Sequence, residues 1–427
     1  MTPIDDHPLR FALVNELHAR PFPALEAPSQ CVYLAIKEPL DAANRDRGRD
    51  AAHLAALLDR HGAAHPPPGA THHAATIGKH DLKWESHTEF VTYSAFSRGV
   101  SARPFDPHAA DVFPPEWLAA APGRRIAAIL IRIEALPDDP AEVTARLEDW
   151  FVGESLACST VVDGTAVVAC DFQIDPAGYM RMAVFVRPGT GRRRVGRIVQ
   201  RLCEIETYRA MSMLGLPRVR ELGARLNALD PKLSALVAAM SDESRDAEAT
   251  LHELLAISAE LEALAVGHAF RFGATGAYEA IVNQRIAVLR ETRFEGRQTF
   301  GEFMMRRYDP AMRTVKSAER RLEQLSLRAE RAGELLRTRV DVERSRQNQK
   351  LLESMDRRAD LQLRLQKTVE GFSVAAISYY AVSLAGYVLA PLAEARHWPK
   401  AAVMAALVPA VVLAVWLTVR RLRRSYE

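Results

Sequence analysis

Two uncharged segments near the C-terminus constrain the fold of this chain more than any other feature. No charged residue occurs from Gly371 to Ala393 or from Ala401 to Val419. A helix needs about 20 apolar residues to cross a hydrocarbon core of about 30 Å, and membrane helices accommodate a proline such as Pro409. We therefore predict two membrane spans, at about 371–392 and 401–419.

A short link joins the two predicted spans, so they should form a hairpin with both long flanks on one side of the membrane. Basic residues concentrate on those flanks: Arg357, Arg358, Arg364 and Lys367 before the first span, and Arg420, Arg421, Arg423 and Arg424 after the second. The link carries only Arg396 and Lys400. The positive-inside rule then predicts that both termini are cytoplasmic. A buried helical hairpin in a soluble protein is the alternative.

The rest of the composition is that of a folded soluble protein. The chain has 427 residues, 48% hydrophobic and 26% charged, and at about 150 residues per domain it should form two or three structural units. A net charge of +3 gives no reason to expect a nucleic-acid partner. Four cysteines without a C-x-x-C pair argue against a zinc site or a disulfide scaffold and fit a reducing compartment. The polar N-terminus MTPIDDHPLR argues against a secretory signal.

Alternating strand and helix patterns predict an α/β body with a mixed sheet over residues 1–188. CVYLAIKE and RIAAILIRIEAL read as strands, Asp139 and Pro140 open a helix, and LACSTVV, TAVVACDF and YMRMAVFV suggest a three-stranded meander. Helical periodicity from 189 to 308 predicts a helical second domain. The predicted fold class is therefore α+β, with a transmembrane hairpin and a basic tail over 371–427.

One very long helix is predicted over residues 309–370, because no proline follows Pro310 before Pro391. At a rise of 1.5 Å per residue it would measure about 90 Å. Its apolar positions keep the heptad spacing of a coiled coil: Val315, Ala318, Leu322, Leu325, Ala329, Ala332 and Leu336. A long helix that packs only on its own domain is the alternative.

Glu85, His87 and Glu89 are the residues most suited to chemistry. Alternate residues of a strand project from one face, which would place an imidazole between two carboxylates able to bind a cation or move a proton. The polar face of an amphipathic strand is the alternative, which we favour. The histidines from His61 to His87 lack the spacing of a metal site, so we interpret their segment as a solvated loop.

Arg192, Arg193 and Arg194 lie where a helix should begin. Cations are unfavourable at a helix N-terminus, so the cluster suggests an anionic partner such as a phosphate or a lipid headgroup, with solvated arginines as the simpler interpretation. The Lys and Ser/Thr of a phosphate-binding loop are absent, and no nucleophile elbow, H-E-x-x-H or dinucleotide motif occurs. The sequence predicts no enzyme, no cofactor and no metal site.

Small and polar residues mark one face of each predicted span. An every-fourth-residue stripe on the second span would allow another helix to approach closely: Ala402, Ala406, Ala410 and Ala414. Hydroxyl groups share a face of the first span and should meet another helix or water: Ser373, Tyr380, Ser383 and Tyr387. We interpret both as helix-packing faces, with a pore lining as the alternative.

Four motifs carry a resemblance to a known family: ELHARPF (16–22), WESHTEF (84–90), EIETYRAMSMLGLP (204–217) and QLRLQKTVEGFSVAAISYY (362–380). They are similar to the signatures of a family of proteobacterial membrane-anchored proteins that is classified only as a domain of unknown function, and the similarity covers nearly the whole chain. The resemblance implies a bacterial inner-membrane protein with two C-terminal spans, and it assigns no catalytic residues because none are established for the family.

The predicted layout, in which one long helix enters a two-span hairpin, is also similar to that of CorA-type divalent-cation channels. Those channels carry Gly-Met-Asn at the end of the first span, where this chain reads AGYVLAPLAEARHWPK. Arg396 and Lys400 at this mouth would repel cations. We therefore expect a non-enzymatic membrane-anchored homo-oligomer, a scaffold or regulator that binds an unidentified protein partner, with a CorA-like channel as the alternative.

Overall fold

The chain divides into two compact units. The computed structural model describes residues 4–16, 21–40, 44–240, 242, 245–395 and 398–426. The first unit comprises the described residues of 1–242 and 253–332, and the second those of 243–252 and 333–427. The domain boundaries expected at 188/189, 308/309 and 370/371 stay predictions.

The secondary structure of the described residues confirms the α+β class. The strands are β1 (Ser29–Lys37), β2 (His72–Ile77), β3 (His80–Ser86), β4 (Phe90–Arg98), β5 (Arg124–Ala135), β6 (Ala157–Val161), β7 (Ala166–Ile174), β8 (Met180–Val186) and β9 (Thr292–Arg293). The helices are α1 (Arg10–Glu16), α2 (Arg47–Arg60), α3 (Pro115–Ala119), α4 (Pro140–Trp150), α5 (Arg192–Met213), α6 (Gly215–Ala239), α7 (Ala247–Leu289), α8 (Phe300–Arg307), α9 (Asp309–Ala395) and α10 (Lys400–Tyr426).

All nine strands belong to one mixed sheet in the order β2-β3-β4-β1-β5-β8-β7-β6-β9. The order of the first eight strands is symmetric about the β1–β5 pair, so each half contributes one central strand and a three-stranded meander. β5 and β8 pair in parallel, whereas β1 and β4 pair antiparallel. The predicted meander of β6, β7 and β8 is confirmed.

The first face of the sheet packs on α2, α3 and α4. Leu54, Leu57 and Leu58 of α2 are fully buried together with Val143 and Leu147 of α4. Burying such an aliphatic side chain stabilises the fold by about 1.5–3 kcal/mol. Both longer helices begin at an aspartate whose side chain accepts a backbone N–H, Asp46 for α2 and Asp139 for α4, as an N-cap should.

The opposite face of the sheet packs on α5, which begins at Arg192 after Gly191. Its buried stripe includes Ile198, Val199 and Leu202, spaced as expected for an amphipathic helix. Gly196 lies so close to the preceding segment that a Cβ atom there would clash with the carbonyl oxygen of Pro23. A side chain at this position would therefore displace the segment before β1.

The heptad stripe at the start of α9 is buried within the chain. Val315, Leu322, Leu325, Ala329 and Ala332 are all buried. Arg321 and Arg328 of α9 both pair with Asp230 of α6, at 3.2 Å in each case. This part of the long helix packs on its own domain, which was the alternative to a coiled coil.

In the second unit, α9 and α10 continue as long apolar helices. α9 includes the first predicted span without a break and extends to Ala395. The side chain of Met404 on α10 lies against Gly386 on α9, where an added Cβ would be 3.4 Å from its sulfur. The two predicted spans are therefore in contact.

Candidate functional site

Glu85, His87 and Glu89, which the sequence predicted to form one polar strand face, lie where the chain turns from β3 into β4. β3 ends at Ser86 and β4 begins at Phe90, and the His87 N–H donates to the Phe90 carbonyl at 2.8 Å. Glu85 therefore lies in the strand, whereas His87 and Glu89 lie in the turn. This corrects the expectation that the three alternate along one strand.

The side chain of Arg45 is buried against this turn and hydrogen-bonds to its backbone. Its side chain is only 2% exposed and donates to the His87 carbonyl at 2.7 Å, to the Thr88 carbonyl and to Ser86 Oγ at 3.0 Å. Its Nε donates to Asp50 Oδ2 at 2.7 Å, and Asp50 is itself buried on α2. A buried charge requires such a set of partners, because removal from water is costly for an unpaired ion. Arg45 thus ties the turn to α2.

Glu89 projects from the turn into a second buried charge cluster. Its carboxylate accepts from Arg271 and from the Tyr278 hydroxyl at 2.9 Å, and Lys37 Nζ lies 4.0 Å away. Burial, and secondarily the Arg271 charge, lowers the pKa of Lys37. Burial and the adjacent Glu89 carboxylate raise the pKa of Tyr278, so its hydroxyl stays protonated and donates. Glu89 therefore joins the sheet to α7.

Glu85 and His87 line a small polar cavity between the sheet and α5. The cavity has a volume of about 20 Å³ and is also lined by Tyr33, Thr207 and Tyr208. Glu85 pairs with Lys83 at 3.2 Å, and Tyr33 Oη lies 2.8 Å from Thr207 Oγ1. Such a volume suits about one water molecule. Because Glu85 already has a cation partner, the geometry favours a structural role for this carboxylate.

The histidines of the 61–87 segment have separate environments. His65 pairs with Asp59 at 2.6 Å, His73 Nε2 lies 3.0 Å from the Ala64 carbonyl, and His87 stacks on Phe90. Across the described ranges, no group of three or more His, Cys, Asp or Glu side chains could hold a metal ion.

The arginine cluster lies at the start of α5, where the sequence placed it. Arg192, Arg193 and Arg194 are exposed, and the Nε of Arg192 is 3.8 Å from the Glu26 carboxylate. Exposed ion pairs of this kind contribute about 0–1 kcal/mol. The arrangement is compatible with solvated arginines, and an anionic partner stays a prediction.

Two helices of the described chain are long and apolar enough to cross a membrane. The most hydrophobic stretch of α9 has a mean hydropathy of 1.6, and only 6% of its residues are buried. The corresponding stretch of α10 has a mean hydropathy of 2.5, and none of its residues is buried. The core helix of a soluble protein would be mostly covered by its own chain. Arg396 lies outside the described residues, as do the side chains of Arg423 and Arg424.

The alanine stripe of α10 points away from the contact between the two helices, whereas Ser383 and Tyr387 of α9 line a cavity between them together with Val403 and Met404 of α10. Ala402, Ala406, Ala410 and Ala414 are all exposed, whereas Val403, Leu407, Val411 and Val415 are half-buried. On α9, Ser373, Tyr380 and Tyr387 are exposed and Ser383 is half-buried, while Ser378 and Ala393 are buried. Any helix that packs on the alanine stripe must therefore come from outside this hairpin.

Arg45 and Arg271 are the important partners that the sequence did not reveal. Arg271 and Glu89 are 182 positions apart, and Arg45 is separated from Thr88 by 43. Periodicity reports which face of an element is buried but not which distant element covers it. The alternation of Glu85 and Glu89 along the sequence drew attention to them, whereas no pattern marked Arg45 or Arg271.

The family model described as "Protein of unknown function (DUF3422)" matches residues 5–426. Because the match covers nearly the whole chain, the chain belongs to this family. No curated protein matches the chain.

Proposed function

We propose that this member of the DUF3422 family is a membrane-anchored protein whose C-terminal hairpin inserts in the bacterial inner membrane. The supporting observation is the exposure of both apolar helices, since their most hydrophobic stretches are 6% and 0% buried. Apolar surface of this extent is unstable in water and must be covered by lipid or by another apolar surface. The lengths of the helices match a bilayer.

The basic flanks support an orientation with both termini in the cytoplasm. Arg420 and Arg421 follow the second span, and Arg364 and Lys367 precede the first. Positive charge is retained on the cytoplasmic side during insertion. The first unit, whose four buried cysteines form no disulfide, would then lie in a reducing compartment.

Membrane extraction and reporter fusions test the anchor. The full chain should stay with membranes at alkaline pH, and a chain ending at residue 370 should be released to the supernatant. A reporter at the C-terminus should give a cytoplasmic signal and one between 393 and 400 a periplasmic signal. A periplasmic signal at the C-terminus would exclude the hairpin.

We further propose that copies associate in parallel through the part of α9 just before the span. An apolar stripe there, interrupted by Arg358 and Gln362, is more than half exposed: Leu351, Met355, Leu365, Val369 and Phe372. Asp360, Arg364 and Lys367 lie on the opposite side of the helix, so the side that carries the stripe is the more apolar one, although Leu352 and Leu363 are also exposed outside it. Copies anchored in one membrane by the same hairpin would present this stripe at the same level. Such an assembly would suit a non-enzymatic scaffold or regulator that binds a further protein.

Cysteine cross-linking in membranes tests the parallel association. Met355→Cys should give a disulfide-linked dimer under mild oxidation, because equivalent residues meet across a parallel interface. Asp360→Cys, on the opposite side, should cross-link far less, and the four native cysteines are buried. Equal cross-linking of both variants, or of neither, would contradict the proposal.

A further inference from the structure

A bulge in β7 places an aromatic side chain in a strained position beside a cavity. β7 and β8 pair regularly as far as Cys170 and Met182 and again at Ile174 and Met180. Three residues of β7 therefore lie opposite one residue of β8. The middle one, Phe172, has a φ of 55°, a conformation that bulky side chains rarely adopt. Such outliers concentrate at functional sites, where bulges redirect a side chain.

Asp171 fixes the bulge in place. It is fully buried, and its carboxylate accepts from the Val152 N–H at 3.1 Å, the Gln173 N–H at 3.2 Å and Arg181 Nη2 at 3.0 Å. These bonds satisfy a buried charge that would otherwise be costly. The strain at Phe172 is thus maintained by a dedicated set of interactions.

The redirected ring forms one wall of a cavity of about 360 Å³. Phe172 stacks on Phe303 of α8 with ring centroids 4.1 Å apart, and both rings line the cavity with Met213 of α5. The volume lies within the range of small-molecule sites, which combine apolar walls with a few polar groups.

Two arginines line the same cavity; the charge of Arg209 is already balanced by Glu206, so Arg307 is the one that brings an uncompensated positive charge. Arg209 donates from Nε and Nη2 to Glu206, at 2.8 Å each, which fixes its guanidinium in orientation. Arg307 is exposed, and within the described part of the chain no hydrogen bond or ion pair engages it. Glu154 also lines the cavity, is exposed, and would repel a bound anion with its negative charge. Asp171 is already neutralised by Arg181.

We propose that this cavity binds a small carboxylate or phosphate with an aromatic body. The acid group would bind Arg209 and Arg307, since guanidinium groups match these anions in charge and geometry. The aromatic body would pack on Phe172 and Phe303. All the residues that line the cavity belong to the first unit, and this proposal does not depend on the proposed anchor.

Calorimetric titration of the full chain in lipid nanodiscs with phenyl phosphate tests the proposal, with empty nanodiscs as the blank. We expect saturable binding, at least about tenfold weaker for inorganic phosphate and for phenol. Arg307→Glu should weaken phenyl phosphate binding at least about tenfold, and Glu154→Gln should strengthen it. Arg306→Glu is the matched control: Arg306 lies in the same turn of α8 but bonds Gln298 at 2.7 Å.

Phe172→Gly removes the ring at a backbone conformation that glycine adopts freely, so the fold should survive, as thermal unfolding can verify, while binding is lost. Absence of saturable binding by the original chain would overturn the proposal. So would equal losses in Arg306→Glu and Arg307→Glu, which indicate general surface charge. Equal affinity for inorganic phosphate would reject the aromatic subsite and with it the proposal.

Discussion

Replacing Arg45 by alanine is expected to destabilise the first unit by about 3–5 kcal/mol, the cost of removing one partner from a buried charge pair. Asp50 would remain buried without its cation, and the carbonyls of His87 and Thr88 would lose a donor. Thermal unfolding of the full chain, followed by tryptophan fluorescence, measures the effect as a lowered midpoint.

Arg49→Ala is the control for that prediction. Arg49 lies in the first turn of α2, four residues after Arg45, is 61% exposed and is 3.8 Å from Glu38, so its loss should cost about 0.5 kcal/mol or less. Arg45→Lys keeps the charge but not the fork of donors, and should recover only part of the stability. If the alanine variants of both arginines unfold at the same temperature, the turn does not depend on Arg45.

Glu89→Ala should also cost about 3–5 kcal/mol, because it removes the carboxylate that balances Arg271 and leaves Lys37 with only the more weakly interacting Glu38. The side chains of Arg271 and Lys37 are 15% and 8% exposed. A double variant of Glu89 and Arg271 should lose less stability than the sum of the single variants, since residues in direct contact are energetically coupled. The measurement is a double-mutant cycle of unfolding midpoints.

The exposed pair Arg225 and Glu260, at 3.2 Å, provides the comparison. A cycle on this pair should give a coupling below about 1 kcal/mol. Additive losses at Glu89 and Arg271 would show that the two side chains do not interact in solution and would refute the assignment of Glu89 as the link between the sheet and α7.

The sequence was sufficient wherever the signal is local. Alternation and turn residues predicted the meander of β6, β7 and β8, and Asp139 with Pro140 marked the start of α4. The absence of proline between Pro310 and Pro391 predicted the long helix, which continues through the first apolar segment to Ala395. Each of these features depends on residues that are close in the chain.

The candidate sites were less predictable because they depend on distant residues. No periodicity indicates that Arg271 will reach Glu89 or that Arg45 will lie beneath the β3–β4 turn. The left-handed conformation of Phe172 was also hidden, because phenylalanine in an apolar run is typical of an ordinary strand. The neighbouring Asp171 was the one polar residue in this run. An aspartate in a strand usually faces solvent, so the sequence did not indicate that Asp171 is buried and holds a bulge.

The end of the sheet at β9 limits how this protein can self-associate. β9 comprises only Thr292 and Arg293, which pair with Thr160 and Ser159 of β6. Such a short, charged edge strand offers too few free backbone groups to template pairing with another sheet, which is a recognised protection against aggregation. At this end of the sheet, the addition of further sheets is disfavoured, so β9 protects the protein against β-sheet polymerisation at high local concentration.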